Sequence, residues 1–283
     1  MLLRRASSDG GAGVRAEEAV VGLATGPVPG GPGGAVPVRR GSPSPAAVAT
    51  ALLGELLVTA GAVLLLFTGW QLWWTDVVAE RDQAVTTAAL AEDWRSLAST
   101  GAPAAPATQE PPELAAPAPG APFAVVHVPR FGPDWPPRPV VEGTGAADLE
   151  AGVGHYPGTA LPGQVGNVAL AGHRNTYGRP FHDIAELRPG DPVVLETAQG
   201  WFVYLATTAE VVLPSQVDVV APVPGRPGDV PVERVLTMTA CHPIASARER
   251  YVQHAVFDRF VPRAAGAPAE LALPTTAGAE VLA

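Results

Sequence analysis

Hydrophobic positions change character along this chain. Over residues 46–74 they are nearly continuous, with Glu55 the single charge. Residues 56–75 form a run of 20 without any charge, about the length of helix that crosses a hydrocarbon core. Trp70, Gln71, Trp73 and Trp74 form an aromatic edge at its end, as at a membrane interface. The run is too long and too far from residue 1 for a signal peptide core, so a transmembrane helix is expected over 46–75. Residues 76–100 mix Ala, Val and Leu with charges and contain no Gly or Pro. A helix is expected to continue out of the span there, serving as a spacer.

From 123 to 263 the period shortens. Short alternating or β-branched runs occupy 123–128, 139–142, 167–171, 192–196, 201–206, 211–213, 234–239 and 251–257, with turn signals such as Arg188-Pro-Gly-Asp191 and Gln199-Gly200 between them. Eight short strands and few helical windows predict an all-β domain, a closed barrel or a sandwich. About 140 residues suffice for one core.

Composition limits the rest. Residues 1–45, with stretches such as Gly26-Pro-Val-Pro-Gly-Gly-Pro-Gly-Gly34, cannot bury enough apolar surface to order themselves and are expected to be a disordered tail. Residues 101–122 read as an extended Pro/Ala linker that completes the juxtamembrane segment 76–122. Residues 264–283 read as a second disordered tail. The basic residues are all arginine, and the formal charge is -9, which argues against a nucleic-acid partner. Arg4, Arg5, Arg15, Arg39 and Arg40 precede the span, whereas only Arg81 and Arg95 follow it closely. That bias predicts a single-pass protein with a cytoplasmic N-terminus and the β-domain outside. No spacing of His or acidic residues suggests a metal site, and no cofactor is expected.

Candidate chemistry centres on Cys241, the single cysteine. One cysteine makes no internal disulfide, and a thiolate is a strong nucleophile when a base or cation lies close by. Period-two alternation puts Thr237, Thr239 and Cys241 on one strand face, with Cys241 at the strand end before Pro243. Arg248 and Arg250 follow, able to stabilise a thiolate or an oxyanion. Six histidines could exchange the proton. His242 is adjacent in sequence and so points to the other face. His173 ends its own strand, where Gly172 is expected to let the backbone turn and the ring reach a rim.

Ala171-Gly-His-Arg-Asn-Thr-Tyr-Gly-Arg-Pro-Phe181 and Leu236-Thr-Met-Thr-Ala-Cys-His-Pro243, with Arg250, resemble the histidine and cysteine motifs of sortases. Gly154-His-Tyr-Pro-Gly-Thr-Ala-Leu-Pro-Gly163 and Ala247-Arg-Glu-Arg250 resemble class E, the housekeeping type of high-GC actinobacteria. The resemblance spans about 123–262. It implies an eight-stranded barrel, a membrane-anchored cysteine transpeptidase, and partners that are secreted proteins with a C-terminal sorting signal and a cell-wall amine. By the same resemblance Cys241 is the nucleophile, His173 the general acid/base and Arg250 the oxyanion-stabilising arginine, with Arg248 the substitute if that match fails. The implied signal is Leu-Ala-x-Thr-Gly rather than the Leu-Pro form. Its selectors are expected in the rim loops 131–139 and 155–161, with His155, Tyr156, Thr239 and Arg248 as candidate substrate-binding residues.

The chain departs from the usual Thr-Leu-x-Thr-Cys at Met238 and Ala240; the first conserves volume, and the second faces away from Cys241. Asp134-Trp135 reads as a rim loop rather than the lid of pilin-building sortases. Leu273-Pro-Thr-Thr-Ala277 resembles a sorting signal but lacks the apolar run and basic end that follow one. The competing readings are another cysteine acyl-transferase or wall peptidase, a pilin-assembling sortase, and a tethered β-domain that binds a wall polymer without chemistry.

Overall fold

The computed structural model describes residues 44–99 and 110–272. The expected tail 1–45 lies almost wholly outside them, as do part of the Pro/Ala linker and Leu273-Pro-Thr-Thr-Ala277.

Helix α1 runs unbroken over Pro45–Ser99. Ser44 caps it, its Oγ accepting from the Ala47 amide at 3.2 Å, and proline takes the first helical position, where its missing N–H costs nothing. Thr50 and Thr68 return their hydroxyls to the carbonyls of Ala46 and Leu64, which satisfies them within the apolar stretch. It is long and apolar enough to cross a membrane. Beyond the apolar stretch one face is covered: Ala79, Gln83 and Trp94 are buried, spaced so that they share a side of the helix.

Eight strands close into a barrel in the order β1-β2-β3-β4-β7-β8-β6-β5. They are β1 Pro122–His127, β2 Arg138–Glu142, β3 Val153–His155, β4 Gly166–Gly172, β5 Pro192–Glu196, β6 Gly200–Val212, β7 Arg234–His242 and β8 Glu249–Pro262. A short helix, α2 Ala146–Ala151, links the parallel pair β2 and β3. Strands β4 and β7 are also parallel, and the remaining pairs are antiparallel. Val168, Leu170, Leu236, Met238 and Ala240 point inward with Phe181, Phe202 and Tyr204. Tyr204 is fully buried; its hydroxyl accepts from the Gly163 amide at 2.9 Å, and burial pushes its pKa up.

The strand number matches the sequence reading, but the strands are not the same eight. Runs 201–206 and 211–213 are one strand, β6, whose pairing with β8 slips between Ala206 and Ala209. The bulge at Thr207-Thr208 interrupts the apolar pattern without interrupting the strand. Strand β3 was not expected, because three residues with a central glycine carry no periodicity to detect.

The described parts of the segments expected to be an extended linker and a disordered tail are docked on the barrel. Leu114 joins the main core, the Gly120 amide donates to the Glu142 carbonyl at 2.7 Å, and Glu110 pairs with Arg234. Past residue 263, Leu271 packs against the buried cluster of Val194, Trp201 and Val203, and Glu270 pairs with Arg259. The helical spacer is held at its far end too, where Arg263 lies between the Trp94 and Trp201 rings at 5.0 and 4.7 Å, a cation–π sandwich.

Candidate active site

Register assembles the site. Strands β4 and β7 run parallel with Ala171 beside Thr239 and Gly172 beside Ala240, so the next residue, His173, comes level with Cys241. Strand β8 returns with Arg250 opposite Cys241. Neighbouring strands are about 4.8 Å apart, which sets His173, Cys241 and Arg250 in one row across three adjacent strands. Inward packing of Leu236, Met238 and Ala240 turns Thr237, Thr239 and Cys241 to the outer face. Cys241 is a free, half-buried thiol.

Gly172 has a different role from the one expected. Its φ is not positive, but a Cβ there would come within 2.5 Å of the Phe181 ring. Glycine at 172 therefore makes room for the fully buried Phe181 under the loop that follows His173. Gly172→Ala is expected to cost about 1–3 kcal/mol through overpacking, read as a lowered thermal midpoint, and to reduce activity by displacing His173.

His173 is half-buried, with its ring 5.1 Å from that of Tyr177. Burial lowers its pKa, because the charged imidazolium loses water, while the Glu150 carboxylate pulls in the opposite direction. The Glu150 carboxylate near Tyr177 also raises the phenol pKa. Glu150→Gln removes the opposing charge and is expected to move the His173 titration further down, measurable from the histidine ring protons by NMR.

Arg250 donates through Nη1 to the carbonyls of Ala247 at 3.0 Å and Glu249 at 2.9 Å, which braces the turn between β7 and β8. Arg248 is exposed in that turn, its amide bonded to Ser246 Oγ at 3.3 Å. One step down β7, Thr239 Oγ1 lies 3.0 Å from the Tyr156 hydroxyl and 3.2 Å from the Leu170 carbonyl. Thr239 has one hydroxyl proton for the carbonyl and so accepts from Tyr156. Tyr156 is thereby fixed over the face that carries Cys241.

His155 does not share that opening. It is 1% exposed, and both ring nitrogens are engaged, Nδ1 with Glu142 at 2.5 Å and Nε2 with the Ala160 carbonyl and Thr159 Oγ1, each at 3.0 Å. Its position supports the loop 156–160 rather than presenting the ring. In the other expected selector loop, Trp135 donates to the Pro180 carbonyl at 3.1 Å and meets Phe131 edge-on.

Three rim residues escaped the sequence reading. Arg174, 5% exposed, donates through Nη1 to His242 Nδ1 at 2.9 Å and to the Cys241 carbonyl at 3.4 Å, and stacks on Tyr251. It ties the backbones of the histidine and cysteine motifs together from the inner side. Asn175 accepts from the Ala245 amide at 2.9 Å, bridging the loops after β4 and β7. Both lie within the Ala171–Phe181 motif, and membership of that motif is the signal that pointed to them. Glu150, distant in sequence, gave none. Among the described residues no group of His, Cys, Asp or Glu is placed to hold a metal ion.

A barrel with a cysteine on β7, a histidine just past the end of β4 and an arginine on β8, level with one another by register, defines a class of protein, and comparison agrees with it. The sortase domain matches residues 126–258. Sortase SrtE1 of Streptomyces coelicolor is 36% identical over 238 residues, 81% of this chain and 63% of its own length, so the chain spans less than two thirds of that relative. Sortase SrtE2 of the same organism is 35% identical over 217 residues, 73% of this chain and 81% of its own. The structure of sortase E from Streptomyces avermitilis superposes with a TM-score of 0.50 at 44% identity, covering 54% of this chain and 99% of that one. The chain belongs to the sortase family, and these relatives place it in class E.

Proposed function

We propose that the protein is a membrane-anchored cysteine transpeptidase that cuts a C-terminal sorting signal between Thr and Gly and joins the new carboxyl end to a cell-wall amine. The observation that carries this reading is the row of His173, Cys241 and Arg250 across β4, β7 and β8, in a chain that belongs to the sortases.

The Cys241 thiolate attacks the threonine carbonyl, and negative charge develops on its oxygen. Arg250 stabilises that oxyanion; its Nη1 is engaged with the turn, which leaves Nε and Nη2 to donate to it. The C–N bond breaks as His173 protonates the leaving amine, which leaves a thioester on Cys241. The acceptor amine, from a peptidoglycan precursor or wall peptide, gives its proton to His173 and attacks the thioester. The thiolate departs and an amide remains. Tyr156 and Thr239, bonded on the same face, line the approach of the signal, with the Leu-Ala-x-Thr-Gly form favoured over Leu-Pro. Arg248, exposed in the adjoining turn, contacts the leaving segment. The apolar part of α1 anchors the chain in the membrane with the N-terminus cytoplasmic and the barrel outside.

The test is mass spectrometry of the full chain in detergent with Leu-Ala-x-Thr-Gly and Leu-Pro-x-Thr-Gly peptides, with and without a glycine-type amine. A thioester on Cys241 that converts to amide product only with the amine supports the reading. A folded chain that forms no adduct with either peptide leaves a tethered binding domain as the better description.

A further inference from the structure

Gln83, beyond the apolar part of α1, is a buried amide that the reaction above does not use. It is 1% exposed and fully engaged: Nε2 donates to the carbonyls of Glu150 and Tyr177, both at 3.1 Å, and Oε1 accepts from Arg138 Nη1 at 2.9 Å. Arg138, itself buried, donates through Nη2 to the Gly178 carbonyl at 2.7 Å, and its Nε has no partner. Two turns earlier on the helix, Asp76 accepts from the Gly178 amide at 3.1 Å and pairs with Arg179 at 3.3 Å.

The loop these groups hold needs holding. Tyr177, Gly178 and Arg179 have φ of 52°, 73° and 46°, three consecutive left-handed residues of which two carry side chains, a conformation that persists only when its surroundings enforce it. Gly178 lies directly beneath the helix, since a Cβ on it would come within 2.9 Å of Arg138 Nη1 and 3.0 Å of Glu80 Cγ. The two carbonyls that Gln83 grips belong to the residues flanking the candidate base: the Tyr177 ring packs on His173, and the Glu150 charge acts on it. Cys241 on β7 and Arg250 on β8 come level with His173 by strand register.

We propose that Gln83 is a positioning residue for His173, so that the helix leaving the apolar span is a working part of the catalytic centre rather than a spacer. The claim rests on the transpeptidase reading for its kinetic consequence but not for its geometric one. An amide is required: two N–H donors reach two carbonyls while one oxygen serves Arg138, a combination that neither a carboxylate nor an apolar side chain reproduces. Without it, Tyr177 and Glu150 are released, water enters beside the imidazole, and the angle between base and thiolate is lost.

The full chain in detergent, labelled at histidine, is compared as wild type, Gln83→Leu, Gln83→Glu and Trp94→Leu. The last loosens the same helix at its Arg263 contact. Both Gln83 variants are expected to raise the His173 titration toward its ordinary value. They are also expected to lower kcat about tenfold to a hundredfold, with KM little changed. Trp94→Leu lowers the thermal midpoint and leaves titration and kcat as in wild type. If Gln83→Leu does not fold, Gln83→Glu decides, because it keeps an acceptor for Arg138 while a charged carboxylate oxygen replaces the two donors. An unchanged titration and kcat in Gln83→Glu overturns the proposal, and so does an equal shift in Trp94→Leu, which makes helix docking rather than Gln83 responsible. A wild type that forms no thioester defeats the transpeptidase reading alone, and the titrations still judge Gln83.

Discussion

Cys241→Ala is expected to abolish thioester formation and lower transpeptidation by at least about 10³-fold, the scale on which loss of a nucleophile acts, while the barrel stays folded. The effect is large because the chain has no second thiol to substitute, and because the rest of the row only assists a bond that sulfur must form. The structural cost is small: Cys241 lies half-buried on the outer face at the end of β7, outside the core formed by Leu236, Met238 and Ala240. Cys241→Ser is expected to be nearly as inactive, since a hydroxyl of ordinary acidity beside a histidine whose pKa is lowered is seldom ionised. Intact-mass spectra after mixing with peptide, together with a thermal midpoint close to wild type, check both halves of the expectation.

What could be read before the fold was known follows from the range over which each signal acts. Period-two alternation is local, so the inward set Leu236, Met238, Ala240 and the outward set Thr237, Thr239, Cys241 were legible from nine residues of β7. The placement of His173 level with Cys241 depends on the β4 to β7 register, a long-range pairing that only family motifs stood in for. Two strand errors had opposite causes: β3 is too short to show a period, and β6 continues through a polar bulge where a period was interrupted. Gln83 was invisible for a third reason. A glutamine on a charged helix looks like a solvated face, and it becomes a buried bridge only because Glu150, Tyr177 and Arg138 arrive from three distant segments. His155 shows the converse, a motif histidine whose ring is absorbed by Glu142 and Ala160. Motif membership marks a region of the rim, while burial and hydrogen bonds decide which side chains face the substrate.

His173→Ala is expected to lower kcat about 10² to 10⁴-fold, the range for loss of a positioned acid/base, with thiol chemistry slowed but not eliminated. The two steps ask opposite things of the imidazole: it must give a proton to the leaving amine and take one from the acceptor. A half-buried ring with a lowered pKa is poised for the second and, once protonated, is a strong acid for the first. Removing it leaves water as the alternative proton carrier, so both acylation and resolution suffer. The variant also separates His173 from His242. His242 lies next to Cys241 in sequence, but its Nδ1 is taken by Arg174 at 2.9 Å on the opposite side of the strand, and it cannot take over. Thioester formation and its resolution by an amine, followed by intact mass, read the pairing directly: in His173→Ala both steps slow because the leaving amine is not protonated and the acceptor amine is not deprotonated, whereas His242→Ala leaves both close to wild type. If the His242 variant instead reproduces the loss and the His173 variant does not, the row across β4, β7 and β8 is not the catalytic one.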